Sequence, residues 1–233
     1  APTVATVAIT SATGVQSSLL NADDVVTATV SFSEAVTVSG VPQLALNIGG
    51  TIVQATYASG SGGTSLTFNY TIQAGQTDAN GISLAANALS LNGGVIRDAA
   101  GNNAVLTHTL VADNASFKVD TTAPNAPTLA LNDVGISSTD GISNSGTVTV
   151  SGVESGATWE YSTNSGGSWS TGAGTSFSLA AGTYAAGAVE VRQTDLAGNL
   201  STSVAQNAAP ITVDVTAPTV ATVAITSATG VQS

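Results

Sequence analysis

The sequence predicts an all-β chain of two β-sandwich domains in tandem, end to end. Three observations carry that prediction. Apolar and polar residues alternate with a period of two along most of the chain, and helical periodicity is missing. A short stretch occurs twice, as Val119-Asp120-Thr121-Thr122-Ala123-Pro124 and as Val213-Asp214-Val215-Thr216-Ala217-Pro218. Each copy closes an alternating segment and opens another behind a proline, which fixes its own φ and holds the preceding residue extended, so each reads as a stiff junction between modules. Finally, residues 1–17 reappear letter for letter as residues 217–233, the signature of one period of a tandem array with the opening of the next copy attached. The expected domains are therefore 1–122, 123–216, and an incomplete third over 217–233 that supplies only its first strand. One strand buries no core, so that tail is expected to fray or to pair with a neighbouring molecule.

In the first domain an opening strand over about Thr3–Thr10 is followed by Val26, Ala28, Val30 and Phe32 alternating with Thr27, Thr29 and Ser31. Leu44, Leu46 and Ile48 repeat the pattern, then a strand over Ile52–Tyr57, and then Leu66, Phe68, Tyr70 and Ile72 opposite Thr67, Asn69 and Thr71. Leu89 and Leu91 precede Gly93-Gly94 and Val95-Ile96, and a long final segment runs from Ala104 to Asp120. That is about seven strands with Gly- and Asn-rich turns, the profile of a β-sandwich. The second domain repeats the plan near Thr128–Leu131, Thr147–Ser151, Thr158–Tyr161, Ser176–Leu179, Ala188–Gln193 and Ser201–Val213. Trp159 and Tyr161 share a face and are expected in the core, Trp159 standing where an immunoglobulin-like sandwich often buries a large aromatic.

Lys and Arg total 3 against 14 Asp and Glu, a net charge of −11 that repels nucleic acid and anionic membrane surfaces and attracts cations. With 42% hydrophobic residues and only 7% charged, the chain lacks the profile of disorder, and its solubility must rest on Ser, Thr, Asn and Gly. No cysteine is present, which excludes disulfides and thiolate metal sites. No apolar run approaches the roughly 20 residues that span a bilayer, so no membrane insertion is expected. There is no signal-peptide pattern, and a piece from within an array would carry none.

If strands run alternately up and down, the acids fall at the ends of the domains. Asp23, Asp24, Asp78 and Asp120 gather at the C-terminal end of the first domain, and Glu154 and Asp195 at the facing end of the second. Glu34 and Asp98 hold the matching positions in the first domain, and Asp133, Asp140 and Asp214 lie at the far end of the second. Two explanations stand side by side. Converging carboxylates repel unless a cation neutralises them, and an irregular cage of carboxylate, Asn and main-chain oxygens suits Ca²⁺ better than Mg²⁺, while one His and no Cys disfavour Zn²⁺. Alternatively, Asp and Asn are there because their side chains bond to nearby backbone, and Asp-x-x-Gly-Asn is a good turn sequence.

These same residues resemble a known family. Val-Asp-x-Thr-Ala-Pro at the junctions, Asp-x-Ala-Gly-Asn at Asp98–Asn102 and Asp195–Asn199, and the run from Gly156 through Trp159, Tyr161 and Trp169 look like bacterial immunoglobulin-like repeats of giant calcium-dependent RTX-type adhesins. The run Val30–Val36 is similar to another repeat type of such proteins. The resemblance implies two immunoglobulin-like domains acting as an extender in a secreted, outer-membrane-anchored protein of the bacterial cell surface that mediates surface or biofilm attachment. It implies calcium at the joints, carried onto Asp120 and Asp214 with Asp98 and Asp195 in the matching loops. Glu34, Glu154, Asp23, Asp24, Asp133 and Asp140 join that set through the loop map. Val215 departs from Thr121 at the matching position, so the two joints need not be equivalent.

No catalytic residue and no small-molecule cofactor is expected. His108 is the lone histidine, in a Thr-His-Thr run read as an exposed strand, and neither a nucleophile elbow nor a phosphate loop is present. The expected partners are neighbouring repeats of the same chain in a monomeric rod, without nucleic acid or a small-molecule substrate. The alternative is a carbohydrate- or ice-binding module using outward ladders such as Thr27/Thr29 and Thr67/Asn69/Thr71, which the 4% aromatic content disfavours.

Overall fold

In the computed structural model of the chain, which describes residues 1–224, the period-two alternation is realised as strands and turns, with no helix among the described residues. The fold is all-β with several sheets, an arrangement consistent with a β-sandwich. The chain divides into two compact units. The first comprises Ala1–Ala126 together with Val153–Thr158 and Arg192–Ser203; the second comprises Pro127–Gly152, Trp159–Val191 and the chain from Val204 onward.

The first unit contains β1 (Val4–Ala12), β2 (Leu19–Leu20), β3 (Val25–Phe32), β4 (Thr37–Ser39), β5 (Gln43–Ile48), β6 (Thr51–Ser59), β7 (Ser65–Thr71), β8 (Thr77–Asp78), β9 (Leu89–Ser90), β10 (Val95–Arg97) and β11 (Lys118–Asp120). Six of them form one sheet in the order β1-β3-β7-β6-β5-β9. Strand β11 lies parallel to β2 and antiparallel to β8 in a three-stranded sheet, and β10 pairs with β4. Register comes from alternation: Val26, Ala28, Val30 and Phe32 of β3 face inward and pack in one cluster with Leu44, Leu46, Leu66 and Phe68 and with Leu20, Ile96 and Val119 from the smaller sheets. A one-residue slip would turn this entire set to solvent, which is why the pairing is well specified. On the outer face the polar phase bonds to itself across strands. Thr10 and Thr29 hydroxyls meet at 2.9 Å, Thr27 donates to Asn69 at 3.0 Å, and Ser59 and Thr67 meet at 2.7 Å.

The second unit, with parts of two strands in the first, contains β12 (Thr128–Leu131), β13 (Ile142–Ser143), β14 (Thr147–Ser151), β15 (Thr158–Ser162), β16 (Ser170–Thr171), β17 (Ser176–Ser178), β18 (Gly182–Tyr184), β19 (Glu190–Thr194), β20 (Ala205–Gln206) and β21 (Ile211–Val213). The sheets run β12-β14-β17, β13-β21-β18 and β16-β15-β19-β20. Trp159 is buried and donates its indole N–H to the Gly174 carbonyl at 3.1 Å, while Tyr161 stacks on Phe177 with ring centroids 4.1 Å apart.

The structure departs from the sequence expectation in three places. The final strand expected over Ala104–Asp120 is confined to β11; upstream of it the chain forms isolated bridges, Thr3 with Val105 and Leu84 with Val111, and packs Leu106, Val111 and Phe117 against the core. The strand expected over Ser201–Val213 breaks into β20 and β21. Between them the buried Asn207 accepts the Val189 N–H and donates to the Ala185 and Ala209 carbonyls, and Pro210 has no N–H for a ladder. His108 is half-buried outside any strand: Nε2 accepts the Ala88 N–H at 2.8 Å, so Nδ1 carries the proton it donates to the Thr109 carbonyl at 2.7 Å. In the tail expected to fray or to pair with a neighbouring molecule, residues 217–224 are exposed and join no sheet among the described residues, and 225–233 lie outside the described residues.

The packing predicts a sharp contrast between two aliphatic residues on neighbouring strands. Leu46 is fully buried and Ile52 is 58% exposed. Truncating Leu46 to Ala should cost about 2–5 kcal/mol by urea denaturation, whereas Ile52→Ala should stay within about 0.5 kcal/mol of the parent.

Candidate functional site

Two loops with the pattern Asp-x-Ala-Gly-Asn fold in the same way. In the first, Asp98 Oδ1 accepts the Asn102 main-chain N–H at 2.8 Å and Oδ2 accepts the Asn102 side-chain amide at 2.7 Å. In the second, Asp195 Oδ1 accepts the N–H groups of Ala197 and Asn199, both at 2.8 Å, and Oδ2 accepts the Asn199 amide at 2.9 Å. The glycines, Gly101 and Gly198, hold φ of 88° and 91°, a left-handed turn that admits no Cβ without strain. The carboxylate thus closes the turn and orients the Asn side chain. Because the Asn102 amide bonds the ionised form first and foremost, with the main-chain N–H groups of Asn102 and Ala100 adding to it, the Asp98 carboxyl is held below the usual carboxylate range despite its burial.

The second loop does more. Asn199 also donates from Nδ2 to the Asp120 main-chain carbonyl at 2.9 Å, so one amide ties the Asp195 carboxylate to the Val-Asp-x-Thr-Ala-Pro segment. Five residues beyond Asp120, the Asn125 carbonyl accepts the side-chain amide of the buried Gln193 at 2.6 Å. The Gln193 side-chain oxygen in turn accepts the Glu154 main-chain N–H at 2.8 Å. Gly198 sits so close to Gln16 and Asn21 that a Cβ there would collide with the Gln16 amide. Asp24 belongs to the same neighbourhood: its Oδ2 accepts the Asn21 N–H at 2.8 Å and its carboxylate abuts Gly14. In the first unit, side-chain bonds to main chain thus tie Asp195 to Asp120 through Asn199, and Glu154 to Asn125 through Gln193, while Asp24 bonds separately to Asn21.

The remaining acids stand apart. Asp23 is exposed, with φ of 73°. Glu34 is exposed and lies 3.7 Å from the Ala1 amino group. Asp140 and Asp214 are exposed, and each caps the main chain two residues on, Ile142 at 3.0 Å and Thr216 at 2.9 Å. Asp120 does the same for Thr122 at 2.9 Å. Asp78, expected in a loop, is instead the buried end of β8, its carboxylate accepting the N–H groups of Gly49 and Gly81, both at 2.8 Å. Asp133 and Asp140 both line a cavity of about 400 Å³ with Leu129, Leu131 and Gln206. Asp133 Oδ2 accepts the Gly141 N–H at 3.0 Å, while Oδ1 is buried with no hydrogen-bond partner.

The chemistry of these donors is hard oxygen throughout, which suits calcium, and the orphaned Asp133 Oδ1 is an atom a cation would satisfy. Among the described residues, however, no three of His, Cys, Asp or Glu stand grouped so as to hold a metal ion. What the geometry displays directly is carboxylates accepting main-chain N–H groups. Two buried amides that the sequence reading does not single out, Gln193 and Asn207, also bond heavily to main chain. Gln193 has a visible signal, since it falls in the inward phase of Val189 and Val191.

The amide of Asn199 and the carboxylate of Asp98 each have a measurable consequence. Asn199→Ala should lower stability by about 1–2 kcal/mol, the loss of two amide hydrogen bonds, measured by urea denaturation. Asp98 titrates below its unfolded value near 3.9, so its contribution is complete above that pH and is lost as pH falls through the folded value. Urea midpoints of Asp98→Asn taken between pH 6 and pH 2 should therefore fall less steeply than those of the parent.

No protein-family model matches this chain, and no curated protein matches it.

Proposed function

We propose that this chain is a structural extender segment of a long, repetitive, calcium-dependent adhesin on the bacterial cell surface. It consists of two immunoglobulin-like β-sandwich domains, 1–122 and 123–216, with 217–233 opening the next repeat. Its role is mechanical, with no catalysis: it projects distal ligand-binding domains from the cell. The observation that carries this proposal is the letter-for-letter return of residues 1–17 at 217–233 behind a Val-Asp-x-Thr-Ala-Pro segment whose first copy is bonded to an Asp-x-Ala-Gly-Asn loop. Repeated modules with pinned connections make a spacer of defined length. Across the outer faces the Thr, Ser and Asn side chains bond to one another, which leaves fewer donors for a glycan or for ice and favours the spacer over a binding module.

Calcium stiffens the connections in this scheme. Asp120, Asp23 and Asp24 with Asp195 and Glu154 would hold calcium at one joint, and Asp214, Asp133 and Asp140 with the Asp98 and Glu34 of the next repeat would do so at the other. Main-chain and Asn carbonyls complete the six to eight oxygens that the ion requires. Binding to the folded state alone raises stability by RT ln(1 + [L]/Kd), and extracellular modules are commonly tuned to about 10⁻⁴–10⁻³ M. The expected behaviour is rigidity at millimolar calcium, as outside a cell, and flexibility where calcium is scarce.

Small-angle scattering of the 233-residue chain, first in millimolar calcium and then in chelator, tests this. The maximum dimension should contract and its distribution broaden on chelation, and the melting temperature should fall with it. An unchanged dimension and melting temperature would remove calcium from the scheme, and glycan or ice capture by the chain alone would replace the spacer with a binding module.

A further inference from the structure

The Asp98–Asn102 loop has the same build as the Asp195–Asn199 loop, but among the described residues it has no counterpart of Asp120. Both loops close with the Asp N–H on the Asn carbonyl at 3.0 Å and the Gly N–H on the Asp carbonyl, at 3.1 Å and 3.2 Å. In both, the carboxylate takes one side-chain amide hydrogen of the Asn and thereby aims the other. Asn199 uses that other hydrogen on the Asp120 carbonyl and is half-buried, whereas Asn102 is exposed.

The acceptor is also duplicated. Asp120 and Asp214 each fold the following turn identically, the carboxylate taking the N–H two residues on at 2.9 Å, and the chain then continues as Thr-Ala-Pro. Asp120 is half-buried under Asn199, and Asp214 is exposed. From Ala217, three residues after Asp214, the chain repeats the sequence that opens the first unit at Ala1. In the first unit that opening runs directly beside the Asp98 loop: the Pro2 carbonyl accepts the N–H of Val105, three residues past Asn102, at 2.8 Å.

We infer that the Asp98–Asn102 loop is a docking element for the preceding copy of this chain. The free amide hydrogen of Asn102 bonds the main-chain carbonyl of the residue equivalent to Asp214, three residues ahead of the Ala-Pro that opens the unit. The bond reads backbone, so it tolerates the Thr121 to Val215 change between the two segments. It needs no metal. This inference rests on the tandem-array part of the proposed function and is independent of calcium.

The test uses a chain carrying the period twice, residues 1–216 followed by 1–233, in chelator. Side-chain amide exchange followed by NMR should be about fivefold slower for Asn102 of the second copy, which has a predecessor, than for Asn102 of the first, the scale of one net hydrogen bond. In parallel, Asn102→Ala in the second copy should reduce the folding equilibrium about fivefold more than the same change in the first copy, which reports local damage to the loop alone. Equal exchange rates in the two copies overturn the inference without any variant, and equal penalties do so with one. A calcium-dependent maximum dimension alongside equal rates would discard the docking bond and keep the calcium-stiffened spacer; unequal rates with a calcium-independent dimension would keep the docking bond and remove calcium from the joints.

Discussion

One side-chain amide organises the region on which the functional proposal depends. Asn199 is held by the Asp195 carboxylate and reaches the Asp120 carbonyl, so a loop late in the chain is fixed to a segment that lies before Pro124. Asp120 is the last residue of β11, and a main-chain carbonyl left unpaired away from water would cost free energy comparable to a lost hydrogen bond. The amide supplies that partner, and the carboxylate supplies the amide's orientation. Gln193 repeats the device on Asn125, so two side chains from one stretch of sequence grip the connecting segment five residues apart.

The acids share a role of the same kind. With only three basic residues in the chain, carboxylates have few cationic partners, and the structure gives them main-chain N–H groups instead. Asp78, Asp98, Asp120, Asp140, Asp195 and Asp214 all accept at least one. Such bonds favour the ionised form, and at Asp98 they add to the Asn102 side-chain amide, the first cause of its lowered titration. Turn capping and cation binding, the two explanations the sequence raises for these acids, are thus not exclusive. Capping is what the geometry displays, and it leaves Glu154 exposed and one oxygen of Asp133 without a hydrogen-bond partner.

Much of the fold is legible in the sequence because alternation is a strong signal when one face is buried. The inward residues of β3 and β5 are those the periodicity selects, and β12 and β14 span the residues expected of them. The features that escape are those periodicity does not encode. Between Ala104 and Phe117 the alternation of apolar and polar residues persists, but pairing needs a free neighbouring edge along the whole length, and only single bridges form. Asn207 sits within an expected strand, and its three side-chain bonds to main chain replace the ladder there. The Asp-x-Ala-Gly-Asn turns are readable from local chemistry, since Gly supplies the positive φ and Asp the cap. That Asn199, and not a carboxylate, touches the junction segment is hidden, because a side-chain amide has no sequence signal for the distant carbonyl it will meet.

The bond between Asn199 and Asp120 is open to direct observation as a through-hydrogen-bond scalar coupling between Asn199 Nδ2 and the Asp120 carbonyl carbon, measured by NMR on the deuterated 233-residue chain in chelator. A resolved coupling that disappears in Asn199→Asp is expected. No coupling, with the Asn199 amide exchanging as fast as that of an exposed asparagine, would mean that the junction segment is not held in this way.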